Sequence, residues 1–560
     1  ERRELVLRLS ELRLELDHTE DDLEQAVLRC LRVPREQLIS HQLVKQSIDA
    51  RRRDRIRIIY SVDVQVRGEK ALLRRRSADR RIRRSPDESY RFVARAPSSA
   101  VDASGARPVV IGAGPCGYFA ALLLAQMGFC PLLLERGQAV KQRSRDTFGF
   151  WRRQSTFKPE SNVQFGEGGA GTFSDGKLYS QVSDPVHYGR KVLEELVNCG
   201  ANRDILTRHR PHIGTFKLAT VVRGLRAQIE ALGGEVRFGS RVEQLLLEPT
   251  HASDGKSMRI TGLQLADGSR LDCSQVVLAP GHSARDTFAM LDRIGVAMER
   301  KPFAIGLRIE HPQSLIDNAR WGDAAGHPLL GAAEYKLVHH AANGRCVYSF
   351  CMCPGGFVVG ATSEPGRVVT NGMSQHSRNE RNANSGLVIP VSDADLEAHE
   401  RWPGDPLAGL VFQRELESLA FQLGGEDYSA PVQRQEDFVA GRPSTSLGSV
   451  RPSYQPGVQP SDLAELLPQP MVVALREALP AFSQKISGYD HPDAVLTGVE
   501  TRTSSPLRIP RDDRLESLNV LGLTPAGEGA GYAGGILSAA IDGIRAAEAV
   551  ALRLLAPISN

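Results

Sequence analysis

Three glycines set the first chemical expectation. Gly112, Gly114 and Gly117 stand in the spacing G-x-G-x-x-G, directly after the apolar run PVVI and before the apolar segment YFAALLLAQM. That spacing serves a tight turn at Gly112, close backbone approach to a pyrophosphate at Gly114, and close helix–strand packing at Gly117. A second apolar run, PLLLE, ends in Glu135, 18 residues after Gly117. An acid there is placed to accept hydrogen bonds from a ribose diol, and it favours NAD or FAD over NADP.

A second G-x-G-x-x-G, Gly529, Gly531 and Gly534, follows the strand-like LNVLGL and precedes an apolar helix. The sequence then stops at 560, which leaves no second strand with its own acid. The pattern fits a late segment that returns to the first nucleotide site. Glu528 is then the carboxylate beside a ribityl chain, and the Gly529–Gly534 backbone supplies close approach. One dinucleotide site with a flavin-type closing motif makes FAD the expected cofactor, with NAD(P)H docking only transiently as a donor. Gly234–Val242 reads as a strand and turn flanking adenine, and Val276–Gly281 as a buried strand returning to the Gly-rich face.

A flavin performs the electron transfer itself, so the protein supplies orientation and tuning. Cys351 and Cys353 lie two apart in a strand-like run, so both point one way, as thiols beside a flavin or as two small core residues. Arg502 and Arg508 are candidates to stabilise a reduced ring or clamp a carboxylate, or else to form structural ion pairs. Ser174 and Lys177 follow a Gly-rich loop and can meet phosphate or flavin. His282 is a candidate acid or base, or a turn histidine. Arg308 and Glu310 alternate along an apolar strand and read as structural. The near-miss GTFSDGK is followed by Leu178 where Mg²⁺ binding needs Ser or Thr, which excludes a phosphate-loop NTPase. His209 and His212 lack further ligands at metal spacing, so no metal site is expected. No GxSxG or HExxH occurs, so hydrolase chemistry has no support.

At longer range the chain resembles the uncharacterised family of FAD-dependent dehydrogenases related to glutathione-reductase-type flavoproteins. The likeness rests on ESNVQFGEGGAGTFSDGKL, PGHSARDTF, KPFAIGLRIEHPQ, YSFCMCPGGFVV, TNGMS, LTGVETRTSSPLRI and PAGEGAGYAGGI, spread over most of 108–550. The resemblance implies FAD contacts at Gly112, Gly114, Gly117, Glu135, Arg136, Val242, Glu528 and the Gly529–Gly534 turn. It also implies that Gly166–Lys177, with Gly168, Gly169, Thr172, Ser174 and Lys177, wraps the cofactor near Gly281. It names no substrate. Pro280 departs from the small residue usual before that glycine.

The elements that must position these residues form an α/β protein. The expectation is a Rossmann-type FAD domain, an inserted substrate domain and a small N-terminal α/β module. The expected boundaries are 1–67 for the module and 68–107 for a basic linker. The FAD domain is expected over 108–200 and 201–300, the inserted domain over 301–490, and the closing segment over 491–560. In the module, alternating Leu5, Leu7 and Leu9 predict a strand, Thr19 and Asp22 a helix start, and 57–66 another strand. The 560 residues carry a net charge of +4, 41% hydrophobic and 24% charged residues, which excludes a wholly disordered chain. The charge is uneven: residues 1–100 carry +7 and the rest −3. The run RRRSADRRIRR reads as a solvated connector or as a contact to RNA, although few aromatics interleave for base stacking. Eight cysteines without CxxC suit a reducing compartment. The longest apolar stretch is broken by glycines and prolines, so no membrane span is expected. A cytoplasmic setting follows, with a removed leader left open because the sequence begins at Glu1. A small-molecule substrate is expected; nothing sets the oligomeric state.

Overall fold

The computed structural model describes residues 6–97, 107–180, 182–250 and 256–556. Leu5 and most of the Pro/Ser/Ala-rich stretch before Pro108 lie outside them. An antiparallel sheet opens the chain, in the order Leu38–Asp49, Arg57–Val66, Leu7–Glu15, Ile82–Arg84. Its core face is written by alternation: Leu7, Leu9, Ile58, Tyr60, Val62, Val64 and Val66 are all buried. The helix Glu20–Leu31 covers that face. Thr19 and Asp22 close its start as a reciprocal capping box, as the sequence predicts.

The linker expectation over 68–107 needs correction. Glu69–Arg75 is helical and Ile82–Arg84 pairs with Leu7–Leu9, so this part of the basic run belongs to the first sheet. Leu72 and Ile82 are the reason, because both are buried in the module's core. Within the run, Arg76 and Arg81 both pair with Asp79.

The second sheet has five parallel strands in the order Leu523–Pro525, Val276–Leu278, Val109–Ile111, Leu132–Leu134, Glu235–Arg237. Its three central strands, VVL, VVI and LLL, are wholly buried apolar runs, whereas the edge strand Glu235–Arg237 is half-buried. Pro115–Gln126 is almost wholly buried and packs against Ile536–Leu555. Those two helices come close at Gly543, where a Cβ would lie 3.0 Å from the Cys116 carbonyl carbon and closer still to its oxygen. The fold class is therefore a Rossmann-type α/β core with further sheets attached.

A small sheet carries Val242–Pro249 and Met258–Leu265. A larger, eight-stranded sheet contains Ala304–Pro312, Cys346–Gly360, Asn382–Pro390 and Val495–Glu500. Val495–Glu500 pairs with Ala304–Pro312, so the expected boundary at 491 falls inside this sheet rather than at its edge. Arg308, fully buried, donates to Glu500 at 2.8 and 2.9 Å, which fixes the two strands to each other. Among the described residues no helix is long and apolar enough to cross a membrane.

Candidate functional site

The Gly-rich turn opens a cavity of about 380 Å³ at the carboxyl ends of the parallel strands, where ligands bind in such sheets. One wall comes from the parallel sheet and its turns: Gly112, Gly114, Glu135, Arg136, Gly281 and Glu528. The opposite wall comes from the large sheet and the segment after it: Phe350, Cys351, Asn371 and Arg502. Gly169, Ser174 and Lys177 from the 166–177 loop, and Val242 from the small sheet, complete it.

Two helices begin at this cavity. Pro115–Gln126 starts after Gly114 and Ile536–Leu555 after Gly535; neither start is capped by a side chain or carries an acid in its first turn. Their free N–H groups and positive dipole ends make an anion-binding floor. The glycines leave that floor open. A Cβ on Gly114 would find its nearest neighbour at 3.9 Å, and one on Gly534 would find nothing within 4 Å. Neither neighbouring protein atoms nor a positive φ demands glycine at these two positions, and both line the cavity. Gly112 differs: its φ is +100° and a Cβ would lie 2.9 Å from the Ala279 carbonyl carbon.

Glu135 is buried and holds the turn together. Its carboxylate accepts from the backbone N–H of Ala113, Gly137 and Gly166 at 2.8–2.9 Å. Three donors leave acceptor capacity on this carboxylate, and Glu135 lines the cavity. Arg136 is tied to Glu160 and Asp286, each at 2.7 Å, and lies 4.0 Å over the Phe165 ring. Arg143, not singled out by sequence, is fully buried and donates to the carbonyls of Asn162, Val163, Gly166 and Glu167. It shapes the loop that faces the glycine turn.

At the other wall, Cys351 has a left-handed φ of +45°. The pairing slips between Phe350 and Cys353, which oppose Gly386 and Asn384. That bulge leaves the two thiols in contact but brings only Cys351 to the cavity, so the expectation holds for one of the pair. Cys351 lines the cavity, whereas Cys353 is fully buried with its Sγ 3.4 Å from the Cys351 carbonyl oxygen. A hydrogen bond from the Cys353 thiol, helped by the Lys177 and Arg308 charges, brings Cys351 down to about 6. Lys177 donates to the Met352 carbonyl and sits 3.6 Å from Asp175. Burial opposes its charge, but the anionic groups beside it, Asp175 and the Cys351 thiolate among them, outweigh burial and keep it protonated.

Glu528 has no hydrogen-bond partner for its carboxylate among the described residues, and His282 Nδ1 lies 3.8 Å from it. Burial pushes Glu528 up to about 7. His282 is buried, and its Nε2 has no hydrogen-bond partner. Burial and the Arg502 and Arg285 charges push it down to about 3, so it is neutral.

Arg502 reaches the cavity wall but is largely spent. It donates to Glu417 at 2.9 and 3.1 Å and to Ser283 and Ser363 at 3.0 and 2.6 Å. Glu417 also takes Arg285 at 2.7 Å, and both charges hold its carboxyl well below the usual range against burial. This buried Arg–Glu–Arg unit fixes the seam between the sheets. The sequence offered no signal for it, because its members lie at 285, 417 and 502. Arg508 pairs with Glu299 at 3.5 Å.

Six expected site residues do not line the cavity, and each has a packing reason. A Cβ on Gly117 would meet the Gly112 carbonyl, and one on Gly168 would lie 2.9 Å from Val222. Thr172 donates to the Glu167 carbonyl. A Cβ on Gly529 would lie 2.6 Å from the Gly281 oxygen, and one on Gly531 3.0 Å from the Leu507 oxygen. Cys353 is the sixth. They shape the wall from behind.

A parallel sheet with a glycine turn, two uncapped helix starts and a carboxylate at the second strand end is the architecture of a Rossmann-type dinucleotide-binding domain. The chain belongs to the family of an "Uncharacterized protein" from Clostridium beijerinckii, to which it is 46% identical over 547 residues, covering 97% of this chain and 98% of that one. Residues 302–503 match the family model described as FAD-dependent protein, C-terminal domain-like. Residues 6–65 match a domain of unknown function. The 3-ketosteroid-Δ4-(5α)-dehydrogenase of Rhodococcus jostii is 13% identical, covering 82% of this chain and 99% of that one, with a TM-score of 0.34. A 2-methyl-3-hydroxypyridine-5-carboxylic acid oxygenase is 12% identical over 80% of this chain and 81% of that one, with a TM-score of 0.30.

Proposed function

We propose that the protein is an FAD-dependent oxidoreductase, a dehydrogenase or reductase acting on a small organic substrate. One observation carries this reading. A single cavity joins an anion-binding floor, Gly114 and Gly534 at two uncapped helix starts, to Cys351 on one wall and to His282 and Glu528 on the other. The unpartnered Nε2 of buried His282 and the open space above Gly114 and Gly534 fit a large polar ligand. FAD bound there would supply two-electron transfer by hydride.

The chain's own residues bind, orient and move protons. The two helix starts hold the pyrophosphate, and Glu135 offers its remaining lone pairs to the ribose diol. Arg136 and Phe165 wall the nucleoside side. Lys177 places a fixed positive charge beside Cys351. Glu528, near 7, takes up or releases at its carboxylate the proton that accompanies a hydride close to neutral pH. Cys351, as thiolate, is the second group able to do so.

One dinucleotide-binding unit stands among the described residues, and a nicotinamide donor, where one is used, would dock transiently. The test is the visible spectrum of the FAD-loaded protein under anaerobic conditions, before and after NADPH or NADH. Bleaching of the flavin band supports a nicotinamide-fed reductase. A band that persists through both nicotinamides and a panel of organic donors would overturn the oxidoreductase reading.

A further inference from the structure

A second cleft lies where the N-terminal module meets the catalytic body. Its volume is about 990 Å³, and it is lined by residues from the module's edge strand, the 208–212 segment and the 320–334 and 376–378 loops. The junction is built. Gln46 N–H donates to the Thr207 carbonyl at 2.7 Å and His209 N–H to the Gln46 carbonyl at 2.9 Å, where the edge strand bulges between Leu43 and Lys45.

The cleft carries surplus positive charge. Arg13, Arg51, Arg208, Arg210, Arg320 and Arg378 line it against only Glu11, Asp49 and Glu334. Each of those acids is already engaged: Glu11 with Arg13 at 3.2 Å, Asp49 with Arg51 at 2.6 Å, Glu334 with Arg378 at 2.8 Å. Arg210 therefore has only the occupied Glu334, at 3.9 Å. Arg320 has no carboxylate among the described residues, and its buried Nε has no acceptor. Burial, Arg53 and Arg210 push the Arg320 guanidinium down, and burial, Lys45 and Arg210 do the same to His209. Arg320, with no carboxylate among the described residues, and Arg210, with only the longer contact to Glu334, invite an anion into this half-enclosed cleft, because charge-assisted hydrogen bonds gain strength away from bulk water. Trp321, Leu329 and Ile48 add apolar surface for an organic body.

The cleft also shares a wall with the cavity above. Lys177 lines the cavity and its bridge partner His212 lines the cleft. Tyr179 lines the cavity, and Arg210 lies 5.6 Å over its ring from the cleft side. Arg378, in the cleft, grips Asp175, in the cavity.

We propose that this cleft binds an organic anion bearing a carboxylate or phosphate on Arg210 and Arg320, across the shared wall from the cavity, with the N-terminal module forming half of the site. As an anion-responsive input to the proposed oxidoreductase, it rests on that reading.

The test titrates citrate and inorganic pyrophosphate separately into the FAD-loaded full chain at constant ionic strength. It follows heat and the visible flavin band for wild type, Arg320→Gln, Arg210→Gln and the exposed control Arg67→Gln. At least one probe should bind the wild type and Arg67→Gln alike, and the two cleft variants roughly ten-fold more weakly. The probe that binds says whether carboxylate or phosphate is the group recognised. Bound anion should also shift the flavin band through Arg378 and Asp175. Equal affinity in all four proteins would overturn the proposal, as would capture of an RNA oligomer with neither small anion bound, or binding without any change in the flavin band. If no variant retains flavin, the oxidoreductase reading fails first, while the heats still decide whether the cleft binds anions.

Discussion

Replacing Gly114 and Gly117 separately by alanine divides ligand chemistry from packing within one six-residue motif. Gly114 has φ −78° and ψ −177°, which alanine adopts freely. Its Cβ would sit 3.9 Å from the nearest protein atom. Loss of glycine at a helix N-cap and the stiffer unfolded chain act in opposite directions, so stability should stay within about 1 kcal/mol of wild type. The methyl group does, however, occupy the space above the helix start. Each charge-assisted backbone bond lost there is worth about 1.5–3 kcal/mol, or roughly ten- to a hundred-fold in FAD affinity. Gly117 behaves oppositely. Its Cβ would clash with the Gly112 carbonyl, with the carbonyl carbon at 3.0 Å, and both groups are backbone of the same turn. Relief requires separating strand and helix, at a cost of roughly 3 kcal/mol or more. The assay pairs denaturant unfolding with FAD titration of flavin-free protein. Gly114→Ala should fold normally and bind FAD poorly; Gly117→Ala should unfold early. A Gly114→Ala protein that binds FAD like wild type would refute the placement of the pyrophosphate.

Two further outcomes follow from buried charge. Alkylation of flavin-free protein, read by peptide mass, should modify Cys351 with a midpoint near pH 6, faster as pH rises and the thiolate forms. Cys353→Ala removes the thiol donor, so the midpoint should move up toward about 8.5; an unchanged midpoint would contradict the paired-thiol geometry. Glu417→Gln leaves Arg285 and Arg502 without their shared carboxylate and should cost about 3–5 kcal/mol in denaturant unfolding, whereas a change below about 1 kcal/mol would show that the buried unit does not hold the seam.

The glycine turn, its flanking strands and helix, and the cavity they open were legible because their signals are local. The order of strand, glycine turn, helix and acid needs only about thirty consecutive residues, and each residue type has one conformational reason to be there. The return of Gly529–Gly534 was legible for the same reason, with one refinement: Glu528 and Gly534 reach the cavity, while Gly529 and Gly531 pack against Gly281 and Leu507. The thiol pair misled because a bulge at Cys351 breaks the two-residue alternation on which the expectation rested. The Arg285–Glu417–Arg502 unit and the Arg308–Glu500 pair were illegible, since charges far apart in sequence meet only through topology. The basic run at 74–84 looked like a linker because composition outweighed two apolar residues, Leu72 and Ile82, which anchor it to the first core.

The central claim is that the cavity at Gly114, Gly534 and Glu135 holds FAD. The most direct measurement is the flavin stoichiometry of the full chain after incubation with FAD and removal of the excess, read from the visible spectrum of the protein and of the flavin released on denaturation. One FAD per chain is the predicted result; a protein that retains no flavin after FAD has been added back would contradict the account.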